Sequence, residues 1–180
     1  MKKIIAVFGL LFSMQSFANI INISVSDSEV EVGETLTVTL EGSSFEAFDT
    51  FSFDFLFDES LFVFAGSEAS DLPNDGFDTF LEFGTALPGL VGVGYFDYAT
   101  TFTGDFFVSF DLEVLAPGAS SFSIDNQTTY FESYVDGNVL TVDDALSVNV
   151  QASAVSVSEP GAVVLLTAAF TMFAGFRRKA

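Results

Sequence analysis

The chain has 180 residues, with 25 Asp plus Glu, five Lys plus Arg, and no His, Cys or Trp. The five cations, Lys2, Lys3, Arg177, Arg178 and Lys179, sit at the two ends, so the stretch from Asn19 to Phe176 carries all 25 acids and no positive side chain. A body without cations cannot neutralise phosphates, which excludes nucleic-acid binding; lack of His and Cys excludes Ser–His–Asp and Cys–His catalysis, the usual zinc sites, haem ligation and disulfides. Hydrophobic residues still make up 49% of the chain, with 24 Phe against four Tyr. That is enough apolar surface for one folded domain rather than an acidic disordered chain.

Residues 1–18 read as a secretory signal peptide in helical form. Lys2 and Lys3 give the charged start, residues 4–12 the apolar run, and Ser16-Phe17-Ala18 a small-x-small site with cleavage after Ala18. Export is the expectation, and the absence of Cys then means that the fold dispenses with disulfides.

Residues 19–157 form the body, and its dominant signal is alternation. Leu36, Val38 and Leu40 point one way while Thr35, Thr37, Thr39 and Glu41 point the other. Phe51, Phe53, Phe55 and Phe57 alternate with Ser52, Asp54, Leu56 and Asp58, and Phe106, Val108, Phe110, Leu112 and Val114 with Ser109, Asp111 and Glu113. Such stretches predict half-buried strands, apolar inward and acidic outward. Further strands are predicted at 20–25, 61–64, 79–83, 91–98, 121–124, 129–135, 139–142 and 146–150. Turn chemistry separates them at Val32-Gly33-Glu34, Asn74-Asp75-Gly76, Leu87-Pro88-Gly89, Ala116-Pro117-Gly118 and Asp136-Gly137-Asn138. With no sustained helical period, the pattern predicts an all-β, two-sheet antiparallel sandwich, or alternatively a closed barrel. Eighteen Phe fall in the body. At a few kcal/mol per buried ring they read as core rather than as a platform for sugars.

Several of these segments together resemble a cohesin domain. They are Val32-Gly33-Glu34-Thr35-Leu36-Thr37-Val38, Phe53-Asp54-Phe55-Leu56-Phe57-Asp58 with Leu61-Phe62-Val63, Gly104-Asp105-Phe106-Phe107-Val108-Ser109-Phe110-Asp111-Leu112, and Ala116-Pro117-Gly118-Ala119. The resemblance implies a β-sandwich of jelly-roll topology. Cohesins bind dockerins, small calcium-loaded modules, through one sheet face, but no binding residue can be matched here one by one, and fold does not fix function.

The remaining chemistry is that of carboxylates. Glycoside hydrolysis needs two of them at a set separation, and nothing marks Asp54 or Asp58 for that role. Calcium is the more credible ligand. Asp71, Asn74, Asp75 and Asp78 form an oxygen-rich loop with Gly76 for a tight turn, to be read as a calcium site or as a polar turn with Asx capping. The pairs Asp58-Glu59 and Asp143-Asp144 read as solvated faces. No other cofactor is expected.

The segment 158–180 mirrors the N-terminus. Glu159-Pro160-Gly161 precedes the uncharged run 162–176, closed by Arg177, Arg178 and Lys179 as a stop-transfer signal. As a helix the run spans roughly 22 Å, short of the ~30 Å hydrocarbon core, a gap that snorkelling basic side chains can bridge. This stretch resembles the PEP-CTERM sorting segment of exported Gram-negative proteins, with Ser158 where that pattern has its first Pro, followed by Glu159 and Pro160. The resemblance implies an exosortase-like membrane peptidase as partner, removal of the tail, and a host that makes exopolysaccharide. A plain C-terminal membrane anchor needs only the same apolar run and basic stop.

Together these readings predict a non-catalytic exported protein. It would begin as an inner-membrane-anchored precursor and end at the cell surface or outside, structural or adhesive in exopolysaccharide or biofilm. The alternative is a specific binding module for a protein partner or glycan, and a carboxylate-dependent glycosidase is the third reading. An exposed apolar patch on one sheet face favours the binding module, and a uniformly acidic surface the matrix role.

Overall fold

The computed structural model describes residues 19–155, apart from 86, 135, 136, 141 and 146. The signal segment, the sorting segment and the two helices expected in them lie outside the described residues.

The body is a two-sheet β-sandwich, and one long antiparallel strand pair shows why. Strand β3 (Thr35–Phe48) pairs with β8 (Phe102–Val114), Leu36 facing Leu112, Val38 facing Phe110 and Leu40 facing Val108. All six are buried completely. On the outer face Thr37 lies opposite Asp111 and donates its hydroxyl to Oδ1 at 2.7 Å. With no lysine to place beside the acids, threonine supplies the cross-strand partner. Flanking this pair are β1 (Asn19–Val25), beside β3, and β5 (Phe62–Ser70), beside β8; β12 (Val142–Ala145) adds a parallel strand at the edge of β1. The first sheet thus runs β12-β1-β3-β8-β5.

Strand β4 (Thr50–Leu56) begins one residue after β3 ends, so the chain changes sheets at Asp49. Along one edge β4 pairs with β7 (Leu90–Asp97), which pairs in turn with β6 (Thr79–Gly84). Along the other edge lie β9 (Gly118–Ile124) at residues 55–56 and β10 (Tyr130–Ser133) at residues 50–52, like one strand interrupted by the turn at Asp125. Beyond them sit β11 (Asn138–Leu140), β13 (Val148–Ser153) and β2 (Glu29–Glu31), the last parallel to β13. The sandwich is therefore antiparallel throughout its centre, with two parallel pairings at its margins.

The Phe residues fill the space between the sheets. At one end Phe45, Phe48, Phe51, Phe106 and Phe131 meet, with Phe45 and Phe131 centroids 4.5 Å apart. At the other, Phe110 and Phe122 close on Phe55 at 5.1 and 5.4 Å. Each fully buried ring contributes about 2–3 kcal/mol of transfer free energy. Two strands run further than their alternation announced. Strand β3 continues through a register shift between Gly42 and Phe45, with Ser44 at φ 60°, and β5 continues through one at Gly66. The short β2 has no sequence signature. The turn before β3 uses Gly33 at φ 88°, a left-handed conformation that favours glycine.

Candidate functional site

In a body without cations the carboxylates take backbone amides as partners. Asp75 Oδ1 accepts from the amides of Phe77, Asp78 and Thr79 at 2.9–3.0 Å and from the Thr79 hydroxyl. Those amides, Phe77 first, hold its pKa down to about 2. Asp71 accepts from the amide of Phe107 on β8 at 2.8 Å. The loop Asp71–Asp78 is thus built as an Asx-capped turn around Asp75, while Asp71 ties it to the neighbouring sheet. No three acidic side chains converge to hold a metal ion among the described residues.

Asp54 and Asp58 also go to different places. Asp58 caps its own loop, accepting from the Ser60 hydroxyl at 2.6 Å and the Ser60 amide at 2.9 Å, and these bonds lower its pKa. A glycosidase acid needs the opposite shift. Asp54 stands on the outer face of β4 beside Gly92, where an added Cβ would lie 3.2 Å from Asp54 Oδ1. Gly94 follows on the same face of β7, and Gly84 of β6 is opposite Gly92. The centre of the β4–β7–β6 face therefore carries three glycines, with Asp54 and Leu90 leaning toward Gly92 and the Phe96 ring toward Gly94. Asp54 and Glu82 border it, and half-buried Leu90 and Phe96 close its ends.

Among the described residues the two most buried carboxylates are Asp49 and Asp97, 1% and 7% exposed. Both follow from alternation: Asp49 continues the inward phase of Phe51, Phe53 and Phe55, and Asp97 that of Val91, Val93 and Tyr95. The sequence reading passed over them, although an acid in the inward phase of an aromatic strand was the available signal. The Asp49 amide donates to the Glu132 carbonyl at 3.0 Å, and its carbonyl accepts from the Asp97 amide at 2.7 Å. The corner is thereby stitched to β10 on one side and β7 on the other.

Burial raises the pKa of Asp97, but the amides of Thr100 and Ala99, the Thr100 hydroxyl and the Tyr95 hydroxyl together bring it below the usual range. Tyr95 itself is pushed up by burial and then by the Asp97 charge. Above this corner Tyr98 and Tyr134 are 77% and 73% exposed. They, Phe96, Thr50 and the two acids line an open cavity of about 300 Å³. A second groove, of about 470 Å³, lies among Phe57, Val63, Phe64, Leu87, Pro88 and Leu115.

No protein-family profile matches the sequence, and no curated protein does. Solved structures do resemble the fold. A cohesin module from a family 33 glycoside hydrolase of Clostridium perfringens shares 15% identity at a TM-score of 0.60, over 76% of this chain and 99% of that one. The sixth cohesin of scaffoldin B from Acetivibrio cellulolyticus, solved in complex with a dockerin, shares 17% at 0.58, over 73% and 99%. A non-cellulosomal cohesin from the archaeon Archaeoglobus fulgidus shares 13% at 0.58, over 79% and 94%. The likeness establishes a cohesin-like jelly-roll fold for the body.

Proposed function

We propose that this chain is a non-catalytic binding module exported to the cell surface or extracellular matrix, where its sandwich docks a protein partner. The observation that carries this reading is the exposed aromatic corner of Phe96, Tyr98 and Tyr134, at one end of the glycine-bearing outer face of β4, β7 and β6. Such a surface seats a complementary element of another molecule, whereas a purely matrix-filling polyanion has no use for exposed Tyr98 and Tyr134. The carboxylates support the non-catalytic part, since those with altered acidity are fixed as turn caps. That one of the similar cohesins was solved holding a dockerin favours a protein as the partner.

Export and sorting complete the proposal. Residues 1–18 direct secretion, and residues 158–180, handled by an exosortase-like peptidase, leave the body at the surface or in exopolysaccharide. Calcium at the Asp71–Asp78 loop is proposed as an accessory ligand that relieves the net charge. The binding claim is tested by adding the purified chain back to cells that lack it. Saturable, protease-sensitive re-association is expected. Uptake that never saturates, or that glycan-degrading enzymes abolish while proteases do not, would contradict it.

A further inference from the structure

We propose that the corner where β3 passes into β4 is a receptor for a single Lys or Arg side chain presented by the protein partner. The inference rests on the partner-binding reading above and names the group that partner must carry.

The cavity has a carboxylate floor and aromatic walls. Asp49 and Asp97 lie beneath it, and Phe96, Tyr98 and Tyr134 line it. The walls are braced. The Tyr98 amide donates to the Asp78 carbonyl at 2.9 Å, and its ring meets the edge of Phe80 at 6.2 Å. Beside Tyr134 the Glu132 carboxylate pushes the phenol's pKa up, which puts a third negative charge near the walls. A ring face attracts cations through its quadrupole, and the attraction strengthens where water is thinned. Carboxylates below the rings act in the same direction, and their effect is least screened where they are buried.

The rest of the chain sharpens the choice of occupant. The body supplies no Lys or Arg of its own, so no internal cation competes for the corner. An anion is repelled from every direction. A neutral sugar can stack on Tyr98 or Tyr134 and hydrogen-bond to the acids, but it brings no countercharge to Asp49, Asp97 and Glu132. An ammonium or guanidinium group on an aliphatic stem satisfies both the ring faces and the charge. The corner also lies at the Phe96 end of the glycine-bearing face of β7, so a partner element lying along β7 would deliver such a side chain there.

The test is a nuclear magnetic resonance titration of the full chain in detergent at ~150 mM salt, conditions in which general attraction to the acidic surface is screened beyond about 8 Å. Three probes are compared: a short peptide with one lysine, the same peptide with norleucine, and cellobiose. The lysine peptide is expected to give saturable shifts confined to the rings of Phe96, Tyr98 and Tyr134, with the other two inert. Tyr98→Ala and Tyr134→Ala should each weaken binding about five- to tenfold, and Tyr98→Phe less than about twofold. Both tyrosines are exposed, so these variants keep the fold, which an unchanged melting temperature verifies. Equal binding of the norleucine peptide, shifts with cellobiose alone, or undiminished binding by both alanine variants would overturn the proposal. Cell re-association separates the two readings. If Tyr98→Ala/Tyr134→Ala re-associates like wild type, the corner is wrong and partner binding stands; if wild type itself does not re-associate, the broader reading falls.

Discussion

Replacing Gly42 with alanine should destabilise this protein, against the general expectation for such a change. Gly42 is a buried residue of β3 directly opposite Phe106 of β8. At an exposed site with ordinary strand geometry, Gly→Ala gains about 0.4–1 kcal/mol by restricting the unfolded chain. Here the new Cβ would fall 2.7 Å from Phe106 Cδ1 and closer still to Cε1 and Cζ. The ring cannot retreat, because Phe45 stands 5.2 Å away and Phe48 and Phe51 both 5.5 Å. Overpacking of this kind costs about 1–3 kcal/mol, and so close an approach to the ring puts this site in the upper half of that range, so a net loss of about 1–2.6 kcal/mol is expected once the entropic gain is subtracted. Urea unfolding followed by far-ultraviolet circular dichroism measures it. The cause is isolated by repeating Gly42→Ala in a Phe106→Leu background, where the penalty should fall by about 1 kcal/mol. A neutral or stabilising Gly42→Ala, or an equal penalty in both backgrounds, would refute the packing argument.

Three further outcomes follow from the charges and the core. Asp75 is depressed in the folded state relative to an unfolded value near ~3.9, so its contribution is present above about pH 4 and lost as pH falls through about 2. The difference in melting temperature between wild type and Asp75→Asn should therefore shrink across that window, and a gap that ignores pH would count against the turn-cap assignment. Stability should rise between ~10 mM and 500 mM NaCl as screening relieves repulsion among acids that have no cation to pair with. Millimolar calcium that raises it no further than salt of matched ionic strength would remove calcium from the account. Phe51→Ala should cost about 3–5 kcal/mol, while Phe77→Ala, at a site 81% exposed, should cost almost nothing; equal effects would contradict the assignment of the Phe stripe to the core.

The sandwich was legible because alternation in Leu36–Val38–Leu40, Phe51–Phe53–Phe55 and Phe106–Val108–Phe110 is a direct imprint of sheet faces. It failed where tertiary pairing decides: β2 exists through its parallel register with β13, and β5 outruns its apolar signal past the shift at Gly66 into small and polar residues. The calcium candidate was legible as a turn, and its Asx alternative is the geometry that Asp75 adopts. The aromatic corner was not. Its acids continue the inward phase of two strands, but Asp is so often solvated that phase alone does not mark it as buried. Its tyrosines, Tyr98 and Tyr134, follow directly on β7 and β10, which flank β4 only after folding.

The central claim, an exported sandwich released at the cell surface, is tested most directly by the intact mass of the protein recovered outside the producing cells. The account predicts a species beginning at Asn19 and ending near Glu159, with 24 acids before that residue and no basic side chain. A full-length chain retaining Lys2, Lys3 and the Arg177-Arg178-Lys179 end, found only with the cell membrane, would contradict it.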